Sequence, residues 1–300
     1  MANNYDRFVQ SKKEQCVKLI QYGIWKGVDS NDLKAWLKNF DTPQEKYFAA
    51  RLLDWLVYRN FDHIDAMLFD LLTRHLHNQW RLDGNPLYKN ELNPLEILCD
   101  KWGVSKYMVR YVTAVKPDDP GTKSGYRIIN TLNHNLNVSD KYNIKIEDIK
   151  QAYETGVRTF LLFDDILGTG EQMEAILNLS DFSSYSDVFV YVLVCAAHEK
   201  GISKIKKEFP FLKVLYAEYI PYNSCLFNAI PAEELGLKDA NEVHDWYMDF
   251  MHRKGVHGKS ALGRGDLGMV YAFQNSVPNN CLPLLYYESE KLSKLLNKRG

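Results

Sequence analysis

The sequence predicts an α/β protein: a parallel sheet flanked by helices, with an all-helical N-terminal extension and a hood-like β segment at the C-terminus. Three observations carry this. From residue 107 onward, continuous apolar runs alternate with amphipathic stretches, as in a parallel sheet covered on both faces. The first eighty or so residues show only helical spacing of apolar side chains. One apolar run, 160–163, ends in two adjacent acids and leads through a Gly-Thr-Gly turn into a helical stretch.

The elements follow in order. Residues 12–27 place Val17, Leu19, Ile20, Ile24 and Trp25 close to helical spacing. Ser30 or Asn31 starts a short helix through Leu33, Trp36 and Leu37. Thr42-Pro43-Gln44-Glu45 is a capping box with proline at the first helical position. The helix it opens carries Tyr47, Phe48, Leu52, Trp55 and Leu56 as a core-facing stripe and ends near Asn60. Another helix runs over 63–80. Asp83-Gly84-Asn85-Pro86 is a turn and the expected module boundary, giving a helical module 1–85 and an α/β domain 86–300. A connecting helix falls at 92–101. Strands are expected at 107–115, 158–163, 187–196 and 212–219, and helices at 126–136, 171–179 and 202–208. A helix at 242–252 and strands at 269–273 and 282–287 complete the chain.

Composition excludes several function classes. Hydrophobic content of 46% and charged content of 25% are ordinary for a globular protein. A formal charge of −1 supplies no global basic field, which argues against a dedicated DNA-binding protein. Lys204, Lys206 and Lys207 read as a solvated helix face. Five scattered cysteines without a CxxC pair fit reduced thiols and a cytoplasmic location. His75 and His77, two apart, point to different helix faces, and no transition-metal site is assigned. The first residues lack the features of a signal peptide, and the longest apolar run, 188–197, is too short for a membrane span.

The segment Phe160-Leu-Leu-Phe-Asp164-Asp165-Ile166-Leu167-Gly168-Thr169-Gly170-Glu171-Gln172 is the most informative. A buried strand feeding a small loop at a helix start aims backbone N–H groups at an anion. Acids at the strand end can then take the hydroxyls of a ribose whose phosphate lies in the loop. The plain alternative is a strand whose terminal acid caps the next helix, but a cap needs one acid and no Gly-Thr-Gly. A second strand–loop–helix step precedes it by about forty residues, at 116–125. That loop offers Lys123, Ser124 and the Gly125 amide as a second anion site. A glycine-rich stretch, 255–268, adds Lys259, Arg264 and Asp266 as a candidate lid.

The 160–172 segment resembles the signature of the type I phosphoribosyltransferases, which bind phosphoribosyl pyrophosphate (PRPP). A chance match is on the order of one in 10^5 at average composition. The resemblance implies that Asp164 and Asp165 bind the ribose 2′ and 3′ hydroxyls. It also implies that the backbone of 167–172, with the Thr169 hydroxyl, cradles the 5′-phosphate. Lys123, Ser124 and Gly125 would hold the pyrophosphate, and Asp118 and Asp119 would hold Mg²⁺ against it. Gly168 and Gln172 depart from the pattern, since threonine or serine usually stands there. Each hydrogen bond so lost is worth roughly 0.5–1.5 kcal/mol.

The C-terminal part is similar to a branch of phosphoribosyltransferase-like proteins from bacterial conflict systems. The similarity lies in Leu262-Gly-Arg264-Gly-Asp266-Leu-Gly268 and in 277–283, Val-Pro-Asn-Asn-Cys-Leu-Pro. In that branch glutamine at the last signature position is usual. The branch accompanies antiphage systems, including some retrons. It implies as partners a winged-helix protein and a reverse transcriptase with its RNA–DNA hybrid.

Three functions are therefore expected as alternatives. The first is an enzyme that transfers ribosyl phosphate from PRPP to a base, nucleotide or macromolecule, with His198 and Glu199 as candidates to activate the acceptor. The second is a non-catalytic sensor of PRPP or a nucleotide. The third is a structural subunit whose helical N-terminus docks a partner through exposed aromatics. A homo-oligomer is open under each.

Overall fold

The structure is a computed structural model and describes residues 2–90, 92–115, 124–274 and 276–298. The chain packs as two compact units. Unit 1 joins residues 1–61 to 222–300, and unit 2 spans 62–221. The 83–86 turn, with Gly84 at φ +66°, lies inside unit 2.

Unit 1 begins with helices α1 (Ala2–Gln21), α2 (Ser30–Leu37) and α3 (Pro43–Trp55). The first helix stops earlier than its apolar spacing suggests, because Gly23 and Gly27 take left-handed backbone at φ +68° and +92°. Asp29, not Ser30, caps α2. Its carboxylate accepts from the Asn31 and Asp32 N–H groups at 2.6 and 2.8 Å, and Asp32 accepts in return from the Asp29 N–H. The Thr42–Glu45 capping box forms as expected. Tyr47, Phe48 and Leu52 are buried, whereas Trp55, the last residue of α3, is 44% exposed.

After α3 the chain does not continue as helix. Leu56 turns to extended backbone and Val57–Arg59 forms β1. Helix α4 (Phe61–Asp70) follows, then a π-helical turn over Leu71–Leu76 and α5 (His77–Leu82), where a single helix was expected. Next come α6 (Pro94–Cys99), capped by Asn93, and the short α7 (Val104–Tyr107).

The rest of unit 2 alternates strand and helix. Its elements are β2 (Val109–Thr113), α8 (Ser124–Asn135), β3 (Asn143–Ile144), α9 (Ile149–Glu154), β4 (Thr159–Leu167), α10 (Glu171–Leu177), β5 (Phe189–His198), α11 (Glu199–Glu208) and β6 (Lys213–Ile220). The strands form one five-stranded sheet in the order β3-β2-β4-β5-β6, and every pairing is parallel. This confirms the α/β class with a parallel sheet flanked by helices, and the sheet is consistent with the type I phosphoribosyltransferase-like fold. Val112, Leu162, Val192 and Val214 lie across one face and pack with Ile149, Ile176, Phe182 and Ile205 from the helices and turns. Burying each such side chain is worth about 1.5–3 kcal/mol.

The strand order reverses at β2. From β2 the chain steps outward to β3, then crosses back to lay β4 on the other side of β2. The carboxyl ends of β2 and β4 therefore flank the switch point of the sheet, where open α/β sheets hold ligands.

The last part of the chain returns to unit 1 with α12 (Leu226–Ala229), α13 (Ala240–Arg253) and β7 (Tyr271–Phe273). β7 pairs in parallel with β1, Val57 opposite Tyr271 and Arg59 opposite Phe273. Phe40 stacks on Phe250, and Phe48 meets Trp246. The Trp36 indole donates to the Leu284 carbonyl at 2.7 Å. The strand expected at 282–287 is instead a 3-10 turn over Pro283–Leu285. Pro283 has no N–H to give to a ladder, and the Leu285 N–H closes back on Leu282. Among the described residues no helix is long and apolar enough to cross a membrane.

Candidate functional site

The signature acids sit at the switch point, but not beyond the strand. β4 runs on through Asp164, Asp165, Ile166 and Leu167, because the long apolar run of β5 keeps pairing with it: Asp164 lies opposite Val194 and Leu167 opposite Ala197. Both acids are consequently buried, Asp164 at 3% exposure and Asp165 at 9%. Two adjacent carboxylates inside a sheet edge are expensive unless groups are aimed at them.

Three contacts answer that. One Asp164 oxygen accepts from the Asp165 N–H at 2.9 Å. The other accepts from the Gln172 side-chain amide at 3.2 Å, from the first turn of α10. Arg127, on α8, brings its guanidinium to 3.8 Å from an Asp165 oxygen, an ion pair longer than a hydrogen bond. Asp164 thus accepts from the Asp165 N–H and from the Gln172 amide, while Arg127 faces Asp165 at longer range. Behind them Cys195 is fully buried. Burial first, then the charges of Asp165 and Asp164, pushes its thiol far above the usual range, so it is a packing residue and not a nucleophile.

The turn after β4 is held by backbone packing. Gly168, Thr169 and Gly170 are all buried, and Gly170 adopts φ +83° as the N-terminal cap residue of α10. No side chain caps the first turn of α10. Gly201, in the first turn of α11, presses on this turn: a Cβ there would stand 2.4 Å from the Gly168 carbonyl oxygen. Glu174 would oppose an anion near the start of α10, but Lys204 pairs with it at 2.7 Å. That bond holds the Glu174 carboxyl below its ordinary value.

The second loop is described only at its end. Asp118, Asp119 and Lys123 lie outside the described residues, as does the Ser124 side chain. Ser124 begins α8, and Gly125 is buried against the end of β2. A Cβ at 125 would come within 3.0 Å of Val115 Cγ1 and 3.1 Å of the Ala114 carbonyl oxygen. A side chain at 125 would require the strand end to give way by a few tenths of an ångström.

His198 and Glu199 stand where β5 passes into α11. The buried His198 ring accepts the Lys200 N–H at Nδ1, 3.1 Å away, and so caps α11. Burial, followed by the nearby Lys200 charge, holds it below its ordinary pKa. The Glu199 carboxylate is bonded to the Tyr219 hydroxyl. Arg264 and Asp266 belong to unit 1, and the Lys259 side chain lies outside the described residues. Among the described residues no group of three or more His, Cys, Asp or Glu is arranged to hold a metal ion.

Arg127 and Gly201 were not singled out from the sequence, although each left a signal. A cation in the first turn of a helix opposes the helix dipole, so Arg127 calls for an acidic partner. A glycine inside a helix costs about 1 kcal/mol against alanine, so Gly201 calls for a packing reason. Gln172 was read as a lost hydroxyl, whereas it holds Asp164.

The chain was compared with known proteins. No curated protein matches it. Among solved structures, the AQ2163 protein from Aquifex aeolicus is 19% identical over 21% of this chain and 29% of that chain, with a TM-score of 0.19. The overlap is too short and too loose to carry an argument. The model of the PRTase-CE family, in contrast, matches residues 33–298 and so takes in the acid pair, both loops and the C-terminal segment. By that match the chain belongs to the PRTase-CE family, a phosphoribosyltransferase-like family.

Proposed function

We propose that the chain binds PRPP and transfers its ribosyl phosphate to a nucleotide-type acceptor. The observation that carries this reading is the buried Asp164–Asp165 pair at the sheet's switch point, followed by the buried Gly168-Thr169-Gly170 turn against which Gly201 packs. Asp164 and Asp165 would accept hydrogen bonds from the ribose hydroxyls. The backbone of 166–172 would take the 5′-phosphate, with the Thr169 hydroxyl beside it. Gly125, at the start of α8 and packed against the end of β2, would offer its backbone N–H at the pyrophosphate position, with Lys123 and Ser124 before it. Mg²⁺ would fall to Asp118 and Asp119, and when bound it neutralises charge on the leaving pyrophosphate.

In the transfer the bond from ribose C1 to the pyrophosphate oxygen breaks, and its electron pair leaves with pyrophosphate. A lone pair of the acceptor then forms the new bond to C1. Between the two events C1 carries positive charge, as in an oxocarbenium ion. The buried carboxylates fix the ring that bears this charge and stabilise it across a low-dielectric site. His198, bonded at Nδ1 to the Lys200 N–H, and Glu199, bonded to the Tyr219 hydroxyl, would be the groups to take the acceptor's proton.

A PRPP or nucleotide sensor is the second reading. It is favoured by Gln172, whose amide is spent on Asp164 where other members of the wider fold would offer a hydroxyl to phosphate. The antiphage setting rests on the motif resemblance. In it a winged-helix protein and a reverse transcriptase with its RNA–DNA hybrid would be partners, and nucleotide modification or depletion would be the toxic output.

Calorimetric titration of the full chain with PRPP and Mg²⁺, beside the Asp164→Asn/Asp165→Asn variant, tests the site. Binding by the parent and not by the folded variant is expected. No binding by the folded parent would sink the PRPP reading. Release of pyrophosphate on adding candidate acceptors then separates enzyme from sensor.

A further inference from the structure

Unit 1 carries an open groove of about 490 Å³. Its wall is the 263–266 segment, and Asn279, Tyr286 and Lys298 from two later segments complete it. The volume falls within the range of roughly 300–1,000 Å³ typical of small-molecule sites. The wall is not built to swing. The Arg264 N–H donates to the Asn279 carbonyl at 2.7 Å, and the Asn280 side-chain amide donates to the Arg264 carbonyl at 2.7 Å. Gly263 lies so close to the next segment that a Cβ there would stand 2.4 Å from the Cys281 carbonyl oxygen. Within the same wall Asp266 holds left-handed backbone at φ +57°, a conformation that costs a non-glycine residue of order 1 kcal/mol or more. A loop fastened at these points suits the wall of a fixed site better than a lid.

The chemistry around the groove is divided. Arg264 and Lys298 bring two cations from distant parts of the chain, and the Lys298 ammonium lies 4.4 Å from the centre of the Tyr286 ring. Partial burial lowers the Lys298 ammonium from its ordinary pKa. Asp266 and Asn279 supply a carboxylate and an amide, which suit hydroxyl groups more than phosphate. Tyr286 supplies an aromatic ring, one face of which the Lys298 ammonium covers.

We propose that this groove is a second binding site, for a nucleoside monophosphate. Arg264 and Lys298 take the phosphate, Asp266 and Asn279 the ribose hydroxyls, and the Tyr286 side bears the base. The site lies wholly within unit 1 and stands whether or not Asp164 and Asp165 bind PRPP.

The test uses the full chain carrying Asp164→Asn and Asp165→Asn, titrated by calorimetry with AMP, ribose 5-phosphate and inorganic phosphate. One equivalent of AMP is expected to bind, ribose 5-phosphate more weakly and phosphate most weakly. Arg264→Ala and Lys298→Gln, each added to that background, should weaken AMP about tenfold or more, with unchanged thermal unfolding. Absence of saturable AMP binding overturns the proposal. Equal affinity with and without the two cations overturns it as well. Phosphate binding as tightly as AMP would make the groove a bare anion site and also overturn it.

Discussion

Gly201 on α11 meets the Gly168 carbonyl oxygen of the turn after β4 so closely that a Cβ would stand 2.4 Å from it. The neighbour is backbone, so no rotamer change relieves the clash. Gly201→Ala should therefore push the turn out of place, destabilise the fold by about 1–3 kcal/mol and weaken PRPP binding. Gly236→Ala is the control. Gly236 has nothing within 4 Å and φ +71°, so alanine there carries only a backbone cost of about 1 kcal/mol. Urea unfolding and titration of both variants check this, and equal binding losses would remove the role given to Gly201.

Gln172 orients Asp164 across the turn. Gln172→Ala should lower stability by about 1 kcal/mol and PRPP affinity about fivefold, the worth of roughly 1 kcal/mol of hydrogen bond. Gln172→Glu sets a carboxylate against a carboxylate and should lower the affinity further. Affinities in the order Gln, Ala, Glu support the arrangement; Glu equal to Gln contradicts it.

His198 gives the fold a pH dependence of known sign. Burial lowers its folded pKa, while the unfolded ring titrates near the ordinary 6.5. Between those values the unfolded chain binds more protons, so this contribution is complete above about pH 6.5 and declines as the pH falls toward the folded pKa. Asparagine can cap α11 without titrating. His198→Asn should flatten the stability profile below pH 6.5 relative to the parent, as read by urea midpoints across that window.

Glu45 acts at a lower pH. Burial alone would raise its carboxyl, but N–H bonds from Asp41 and Thr42 and the Arg253 guanidinium outweigh burial and hold it below the ordinary 4.5. Its contribution is complete above that value and is lost as the pH falls through the folded pKa. Glu45→Gln should cost about 1–2 kcal/mol at neutral pH, and the gap to the parent should close in acid. A gap independent of pH would mean that the charge plays no part.

Local chemistry made much of this legible. The Thr42–Glu45 box needs only four consecutive residues, and the apolar runs of β4 and β5 need no partner to be recognised as buried strands. The acid pair and its turn were readable for the same reason. What escaped depends on distant chain. β1 is three residues long and exists through β7, and the reach of β4 past Phe163 is set by β5. The 282–287 stretch has strand-like side chains, yet Pro283 turns it. Arg127 became part of the site only once α8 was laid beside β4.

The pairing of β1 with β7 also sets an order of events during synthesis. Residues 62–221 leave the ribosome as a complete sheet with its covering helices, while Val57–Arg59 still wait for Tyr271–Phe273. In that interval Phe40 and Phe48 lack Phe250 and Trp246, so the N-terminal helices carry uncovered aromatic surface. The acid pair can thus be assembled before the groove of unit 1 exists. A nascent chain paused before residue 271 has the acid pair in place while β1 still lacks its partner strand.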